Sequence, residues 1–366
     1  MSGPLTSVHI LGSREFGGAD QFYVRLVGSL HAAGQPVLAV NRPGSPVARA
    51  LAGTGVEQVH VPMANRWDLW SVWRIRKLLE ARAPCVVQTY MGRATRLTRP
   101  PVGSGCVHIA RLGGFYKIDG YYRHAHAWVG NTRAICDYMI KAGLPARRVF
   151  HIGNFVPDAR TYDPAQRQAL REGHGIVGDA WVLFGLGRLI EKKGFQDLLA
   201  ALALLPREIA GRPWVMLVAG DGDGAARLRA QSEVLGLADR VRWLGWQDPP
   251  DPWLDLADVV VVPSRHEPLG NVILEAWNYR RPIVSTDSDG ARELIREGET
   301  GIMTPCADPS ALARSLVGML EMSDIQRLAM GEAGHRDLLA RFGKQAILEA
   351  YLELYARLAR EHSIGG

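Results

Sequence analysis

With 366 residues, 47% of them hydrophobic and 22% charged, the chain has ordinary globular composition and enough length for two domains with separate cores. No apolar run approaches the roughly 20 residues that span a bilayer. The N-terminal MSGPLTSVHILGS has no basic segment followed by a long apolar core, and Cys85, Cys106, Cys136 and Cys306 stand at no zinc or disulfide spacing. These features argue against membrane-spanning and disulfide-stapled classes. No signal peptide and a reducing, cytoplasmic setting are expected. The net charge of +6 is unevenly placed: residues 1–160 carry 20 Lys and Arg against 8 Asp and Glu, the remainder 23 against 29. A basic half joined to an acidic half points the first half towards an anionic membrane, a nucleic acid or a phosphorylated substrate, with a scattered, partnerless basic surface as the alternative.

In chain order, SVHILGS reads as a strand leading into a glycine-rich turn at Gly17 and Gly18 and a helix with apolar Phe22, Val24, Leu26, Val27 and Leu30. PVLAV and VEQVHVP are strands, WDLWSVWRIRKLLEAR a helix, and CVVQTY, CVHIARLGG and AWVGNT strands. TRAICDYMIKAGL is a helix and RRVFHIGN a strand. The polar stretch from about Val156 to Ala180 is taken as a linker. The alternation then resumes with strands WVLFGLGRL, WVMLVAGDG, VRWLGW, ADVVVVPS and PIVST. Between and after them come helices GFQDLLAALALL, ARLRAQSEVLGL, NVILEAWNYR, SALARSLVGML and KQAILEAYLELYARLAR. Such alternation predicts an α/β protein of two Rossmann-like, doubly wound domains with a ligand cleft at the carboxyl ends of the strands. Their expected extents are 1–157 and 158–345, with 346–366 a helix that closes the chain.

The second half gathers chemistry at its strand ends. Gly187 and Arg188 follow WVLFGL, Lys193 and Gly194 come five residues later, Gly220-Asp221-Gly222 ends WVMLVA, and HEPLGNVILE follows DVVVVPS. A guanidinium, an ammonium and helix N-terminal amides together suit a diphosphate; a solvated Arg and Lys on a turn is the plain alternative. Gly270 is the residue of the Leu269-Gly270 pair able to take a positive φ, with a helix opening near Asn271 whose positive end faces the rim. Carboxylates at Glu267 and Glu275 suit the hydroxyls of two sugars, although Glu275 alone is equally explained by a favourable place in a first helical turn.

From Glu267 through Pro268 and Gly270 to Glu275, the sequence resembles the signature of retaining nucleotide-sugar glycosyltransferases of family 4, which have the GT-B fold. FGGADQFYVRLVGSL, VGNTRAICDYMIKAGLPARRVFHIGNFV, GRLIEKKGFQDLLAAL and SDGARELIREGETGIMTP resemble further blocks of that family, with Asp20 where a glutamate is usual. The resemblance implies that Glu275 binds the ribose, Glu267 the transferred sugar, and Arg188 and Lys193 the diphosphate. It sets Leu269, Gly270 and Asn271 against the donor, brings the amides of Gly17 and Gly18 to the same phosphates, and places Gly245 and Trp246 by the nucleobase. It implies Glu267, Arg188 and Lys193 as the catalytic set, a nucleoside-diphosphate sugar as donor, and no divalent metal or other cofactor. Enzymes of the same fold that epimerise nucleotide sugars, or an inactive sugar-nucleotide scaffold, are the alternatives. GLGRLI is only a partial dinucleotide fingerprint, and no nucleic-acid-binding motif is present.

Gln88 and Tyr90 stand where a His-x-His pattern is common in the family, and Gly113 where a histidine often precedes glycine. Arg93, Arg96 and Arg99 share one side if their segment is helical. Tyr90, Arg93, Arg111, Lys117 and His124 are the acceptor candidates. RLGGFYKIDGYY is similar to a subgroup of bacterial lipopolysaccharide core glycosyltransferases, which implies a phosphorylated, lipid-linked glycan acceptor and peripheral contact of the basic half with the inner face of an anionic membrane. Trp67, Trp70 and Trp73 beside Arg74, Arg76 and Lys77 make a mix found at membrane interfaces. Their basic residues do not gather on one helical face, so an ordinary packing helix is expected there.

Overall fold

The computed structural model describes residues 5–364. Its contacts divide the chain into two compact units, Met1–Phe155 with Phe342–Gly366, and Val156–Arg341. The sequence pattern had set these borders at 157/158 and 345/346.

The first unit is a sheet of β1 (Ser7–Leu11), β2 (Val37–Asn41), β3 (Glu57–His60), β4 (Val86–Tyr90), β5 (Val107–Leu112), β6 (Ala127–Gly130) and β7 (Val149–His151), in the order β3-β2-β1-β4-β5-β6-β7. Every pairing in it is parallel. Strands covered on both faces read as near-continuous apolar runs, and β1, β2, β4, β5 and β6 are buried along their whole length. One face is covered by the helices Gly18–Ala32 and Lys344–Ile364, whose Phe22, Leu26, Tyr351, Tyr355 and Leu358 share one core. The other face is covered by Leu69–Arg82 and Met91–Leu97.

A run of buried hydrogen bonds ties the last helix to the sheet. The Tyr355 hydroxyl donates to Gln88 Oε1 (2.6 Å), Gln88 Nε2 donates to the Tyr90 hydroxyl (2.7 Å), and that hydroxyl meets His9 Nδ1 (2.8 Å). Beside it Arg111, 2% exposed, donates to the Tyr351 hydroxyl at 3.1 Å and to Asn154, with its guanidinium 4.0 Å from the Phe22 ring centre.

The second unit holds β8 (Trp181–Leu186), β9 (Glu208–Ile209), β10 (Arg212–Ala219), β11 (Val241–Gly245), β12 (Val259–Val262), β13 (Ile283–Thr286) and β14 (Ile302–Thr304). The parallel order is β11-β10-β8-β12-β13-β14, and β9 pairs antiparallel with β10. The chain runs from β8 outward through β10 and β11, then restarts on the other side of β8 with β12. The order therefore reverses between β8 and β12, which is where such sheets bind ligands.

Two helices depart from the sequence expectation. The supposed linker contains the helix Pro164–Gly173, opened by Asp163, which accepts from Gln166 N at 2.8 Å while Gln166 returns a bond to Asp163 N. Its Asp-Pro-x-Gln start is a capping box with proline at the first position. The helix Asp324–Phe342 carries Gly331 and Gly334 in its interior. Those glycines weaken the helical signal but serve packing: a methyl on Gly334 would lie 2.2 Å from the buried Trp277 indole.

Burial pushes the His9 imidazole from 6.5 down to about 3. The folded state therefore keeps His9 neutral while the unfolded chain takes up a proton below about pH 6.5, so its contribution is whole above that pH and is lost as pH falls towards 3. At pH 5 the loss attached to this one group is about 2 kcal/mol. Urea denaturation at pH 7 and pH 5 is expected to show a stability drop that His9→Gln reduces by that amount; an equal drop in both proteins would contradict the assignment.

Candidate functional site

The loops after β8 and β12 stand side by side at the point where the strand order reverses. After β8 the chain passes Gly187 and Arg188, makes a single turn at Glu191–Lys193, and reaches Gly194 at φ +70° before the helix Phe195–Ala203. A methyl on Gly194 would lie 1.8 Å from the carbonyl oxygen of Pro263, just past β12. The two loops are laced together. Arg265 N and His266 N donate to Lys192 O at 2.9 and 3.1 Å, and the Arg265 guanidinium grips Asp197 with two bonds of 2.6 and 2.7 Å. On the β10 side, Leu189 N donates to Asp221 O (2.9 Å) and Gly224 N to Leu189 O (2.8 Å).

This lacing brings Lys193 Nζ against the Glu267 carboxylate as an ion pair, with the side chains only 19% and 16% exposed. Glu267 O in turn accepts from Gly290 N at 2.7 Å, which holds the turn to the chain after β13. Leu269 is buried, Gly270 takes φ +78°, and the helix Asn271–Asn278 begins directly after it. The conformational division between Leu269 and Gly270 and the helix start are those read from the sequence. Glu275 lies on that helix and is 9% exposed. Arg188 is exposed at the same rim. Gly245, at φ +69°, ends β11 and accepts from Gly220 N at 2.8 Å, followed by Trp246, which is half exposed.

The arrangement combines a helix N-terminus, two cations and two carboxylates on one strand-end rim. Lys193 and Glu267 neutralise each other, so neither charge is buried alone. Among the described residues no group of three or more His, Cys, Asp and Glu could hold a metal ion. Sequence reasoning missed Arg265 and Asp197, which position the loop that carries Glu267. They are 68 residues apart, and no local spacing marks them as partners.

The candidates in the first unit are dispersed. Gly17 caps the helix Gly18–Ala32, its N–H donating to Asp20 Oδ2 at 3.0 Å. Tyr90 and Arg111 were expected to receive an acceptor, but both are core residues, 1% and 2% exposed, committed to the hydrogen bonds described above. Gln88 is likewise fully buried, so the pair standing in place of His-x-His has a structural role. Arg93 reaches back to Gly12 O at 3.2 Å, and Lys117 is exposed. His124 Nε2 sits 2.9 and 3.1 Å from the carbonyls of Thr95 and Thr98, which fixes its proton there. Burial, with Arg99 nearby, pushes this imidazole down to about 3.

Residues 181–322 match the family described as glycosyl transferases group 1. The chain is 33% identical over 341 residues to the lipopolysaccharide core biosynthesis glycosyltransferase LpsE of Rhizobium meliloti, covering 93% of this chain and 96% of that protein. It is 31% identical over 345 residues to LpsD of the same organism, covering 93% and 95%. In three dimensions it is similar to Anabaena HepE, solved in complex with UDP and glucose, with a TM-score of 0.82, 19% identity, and coverage of 96% of this chain and all of that one.

Gly194→Ala is expected to destabilise the second unit by more than the roughly 1–2 kcal/mol of left-handed backbone strain, because the Pro263 loop must also move. Gly298→Ala, at φ +73° with open space around the added methyl, should cost the strain alone. Thermal unfolding of the two variants compares them, and equal losses would show that the contact with Pro263 is unimportant.

Proposed function

The chain belongs to the group 1 glycosyltransferases, and we propose that it is a retaining, metal-independent enzyme moving a sugar from a nucleoside-diphosphate sugar to a phosphorylated, lipid-linked acceptor of the lipopolysaccharide core. The observation that carries this reading is the rim at the strand reversal, where Lys193 pairs with Glu267 in the turn that leads into the helix holding Glu275. The end-to-end likeness to two lipopolysaccharide core glycosyltransferases supports the acceptor class. The UDP held by the structurally similar HepE supports the donor class.

In this reading the diphosphate lies against Arg188, Lys193 and the amides at the start of Asn271–Asn278. Glu275 accepts hydrogen bonds from the ribose and Glu267 from the transferred sugar. The bond between the anomeric carbon and the diphosphate oxygen breaks as the acceptor oxygen attacks the same face. The acceptor's proton passes to the departing phosphate oxygen, so no side-chain base is required. Negative charge grows on the diphosphate, and two fixed cations stabilise it where it develops, the role elsewhere given to a metal. Glu267 contributes twice, holding Lys193 in place and orienting the sugar.

Lys193→Ala and Arg188→Ala are expected to lower kcat by about 10²–10³-fold, and Glu275→Ala to weaken donor binding. Transfer to a lipid-linked core acceptor should proceed in EDTA and give a product with the donor's anomeric configuration, read by NMR. Inversion, dependence on a divalent ion, or near-normal transfer by all three variants would each overturn the corresponding part of the mechanism.

A further inference from the structure

The cysteines stand at no disulfide spacing in the sequence, and all four are free thiols. Two of them nevertheless meet. Cys85 Sγ and Cys106 Sγ lie 3.2 Å apart and share a hydrogen bond, although 21 positions separate them along the chain. The sheet brings them together. In the parallel pairing of β4 with β5, Val86 stands opposite Val107, and the two cysteines are the residues immediately before that pair. Val107 N donates to Cys85 O at 2.9 Å, so the register is fixed at their level. Both side chains enter one core, with Ile75, Leu79, Val87 and Leu97, and so leave the sheet on the same face. Neighbouring strands run about 4.8 Å apart, which falls within the roughly 4.4–6.8 Å of Cα separation that a disulfide spans. Closing the sulfur contact to a covalent bond of about 2.05 Å takes about 1 Å of side-chain movement and no change of register.

The two sulfurs are also differentiated. The hydrogen bond between them pushes the Cys106 thiol down and the Cys85 thiol up, with burial adding to the rise of Cys85. The first is thereby the better thiolate, and the second remains a protonated neighbour able to resolve an oxidised sulfur. Access is from the starts of the strands. Each cysteine is 1% exposed, yet each is the first buried residue after an open turn, with Pro84 exposed before one and Gly105 half-buried before the other. A small oxidant has one residue of cover to pass.

We propose that Cys85 and Cys106 form a reversible redox site that takes a peroxide as oxidant and, once oxidised, clamps the start of β4 to the start of β5. The Cys106 thiolate attacks a peroxide oxygen, the O–O bond breaks, and the departing hydroxide takes up the proton that Cys106 released, leaving as water. The Cys85 sulfur then attacks the resulting sulfenic acid. The S–S bond forms, the S–O bond breaks, and a second water departs with the Cys85 proton. The two sulfurs lose two electrons together and the peroxide gains them; a dithiol reductant reverses the change. The closed loop holds β4 and the helix Met91–Leu97, so the clamp acts mainly by restricting the unfolded chain. It lies at the opposite end of the strands from their ligand end, uses none of the transfer residues of the second unit, and stands independently of the transfer reading.

The test treats the reduced full chain, freed of reductant, with hydrogen peroxide, blocks the remaining thiols with iodoacetamide in urea, and reads the tryptic peptides by mass spectrometry. Peptides 83–93 and 97–111 are expected joined, two hydrogens lighter than their sum, and separated again by dithiothreitol. The oxidised chain should unfold about 5 °C or more above the reduced one, and Cys85→Ala and Cys106→Ala should each remove that rise. The link itself is read on the unaltered chain, so a variant that folds poorly leaves the test intact. Five results overturn the proposal: no link in the folded chain, a link that forms only when urea is present during oxidation, a link through Cys136 or Cys306, oxidation of Cys106 to sulfinic acid with no link, or a linked chain that unfolds no higher than the reduced one.

Discussion

Gly194 approaches the Pro263 carbonyl so closely that no side chain fits between them, and the chemistry of the second unit is arranged around that contact. It brings the turn after β8 under the loop after β12, where Lys192 can accept from two successive amides and Asp197 can hold Arg265. With both loops laced together, the Lys193 ammonium meets the Glu267 carboxylate. A flexible lysine carries much rotamer entropy, and a carboxylate that already satisfies it reduces what must be ordered when a donor arrives. In the proposed reading the ion pair is thus a form of preorganisation, set where backbone packing brings the two loops together.

Much of this was legible in the sequence because it is local. The strands of the second unit are continuous apolar runs such as Val259–Val262, the turn residues sit at strand ends, and Gly270 precedes a helix whose periodicity is plain. The mutual pairing of Lys193 with Glu267 spans 74 residues, and the clasp of Arg265 on Asp197 spans 68; both are set by the order in which strands enter the sheet, which no short motif encodes. The helix Pro164–Gly173 was hidden for a different reason. It buries none of its own residues fully and contains few apolar ones, leaving its capping box to announce it.

The first unit shows the opposite failure, in which polar residues suggested function and proved structural. Tyr90 and Arg111 have the chemistry of a binding site, and from the sequence alone their place at strand ends supported one. The structure uses the same groups to satisfy one another in the core beside His9, Asn154 and Tyr351, where any one left alone would carry the cost of an unpaired buried polar group. Conversely, the tryptophans of Leu69–Arg82 looked like core and are exposed. Apolar content distinguishes inside from outside only when the helix lacks other residues to do the anchoring, and here Ser71, Ile75 and Leu79 do it, with Val72 and Leu78 packed beside them.

The last helix, Lys344–Ile364, completes the core of the unit in which the chain began. Segments on both sides of Val156–Arg341 are therefore parts of one structural body, interrupted by another that is continuous. On a ribosome that makes the chain from its N-terminus, all of Val156–Arg341 has been synthesised before the segment carrying Tyr351, Tyr355 and Leu358 exists. The unit begun first is the one finished last. Its half-built core, with Phe22 and Leu26 uncovered, must wait through the synthesis of everything between, and a chain cut short before Lys344 would carry a complete second unit and a first unit lacking one wall.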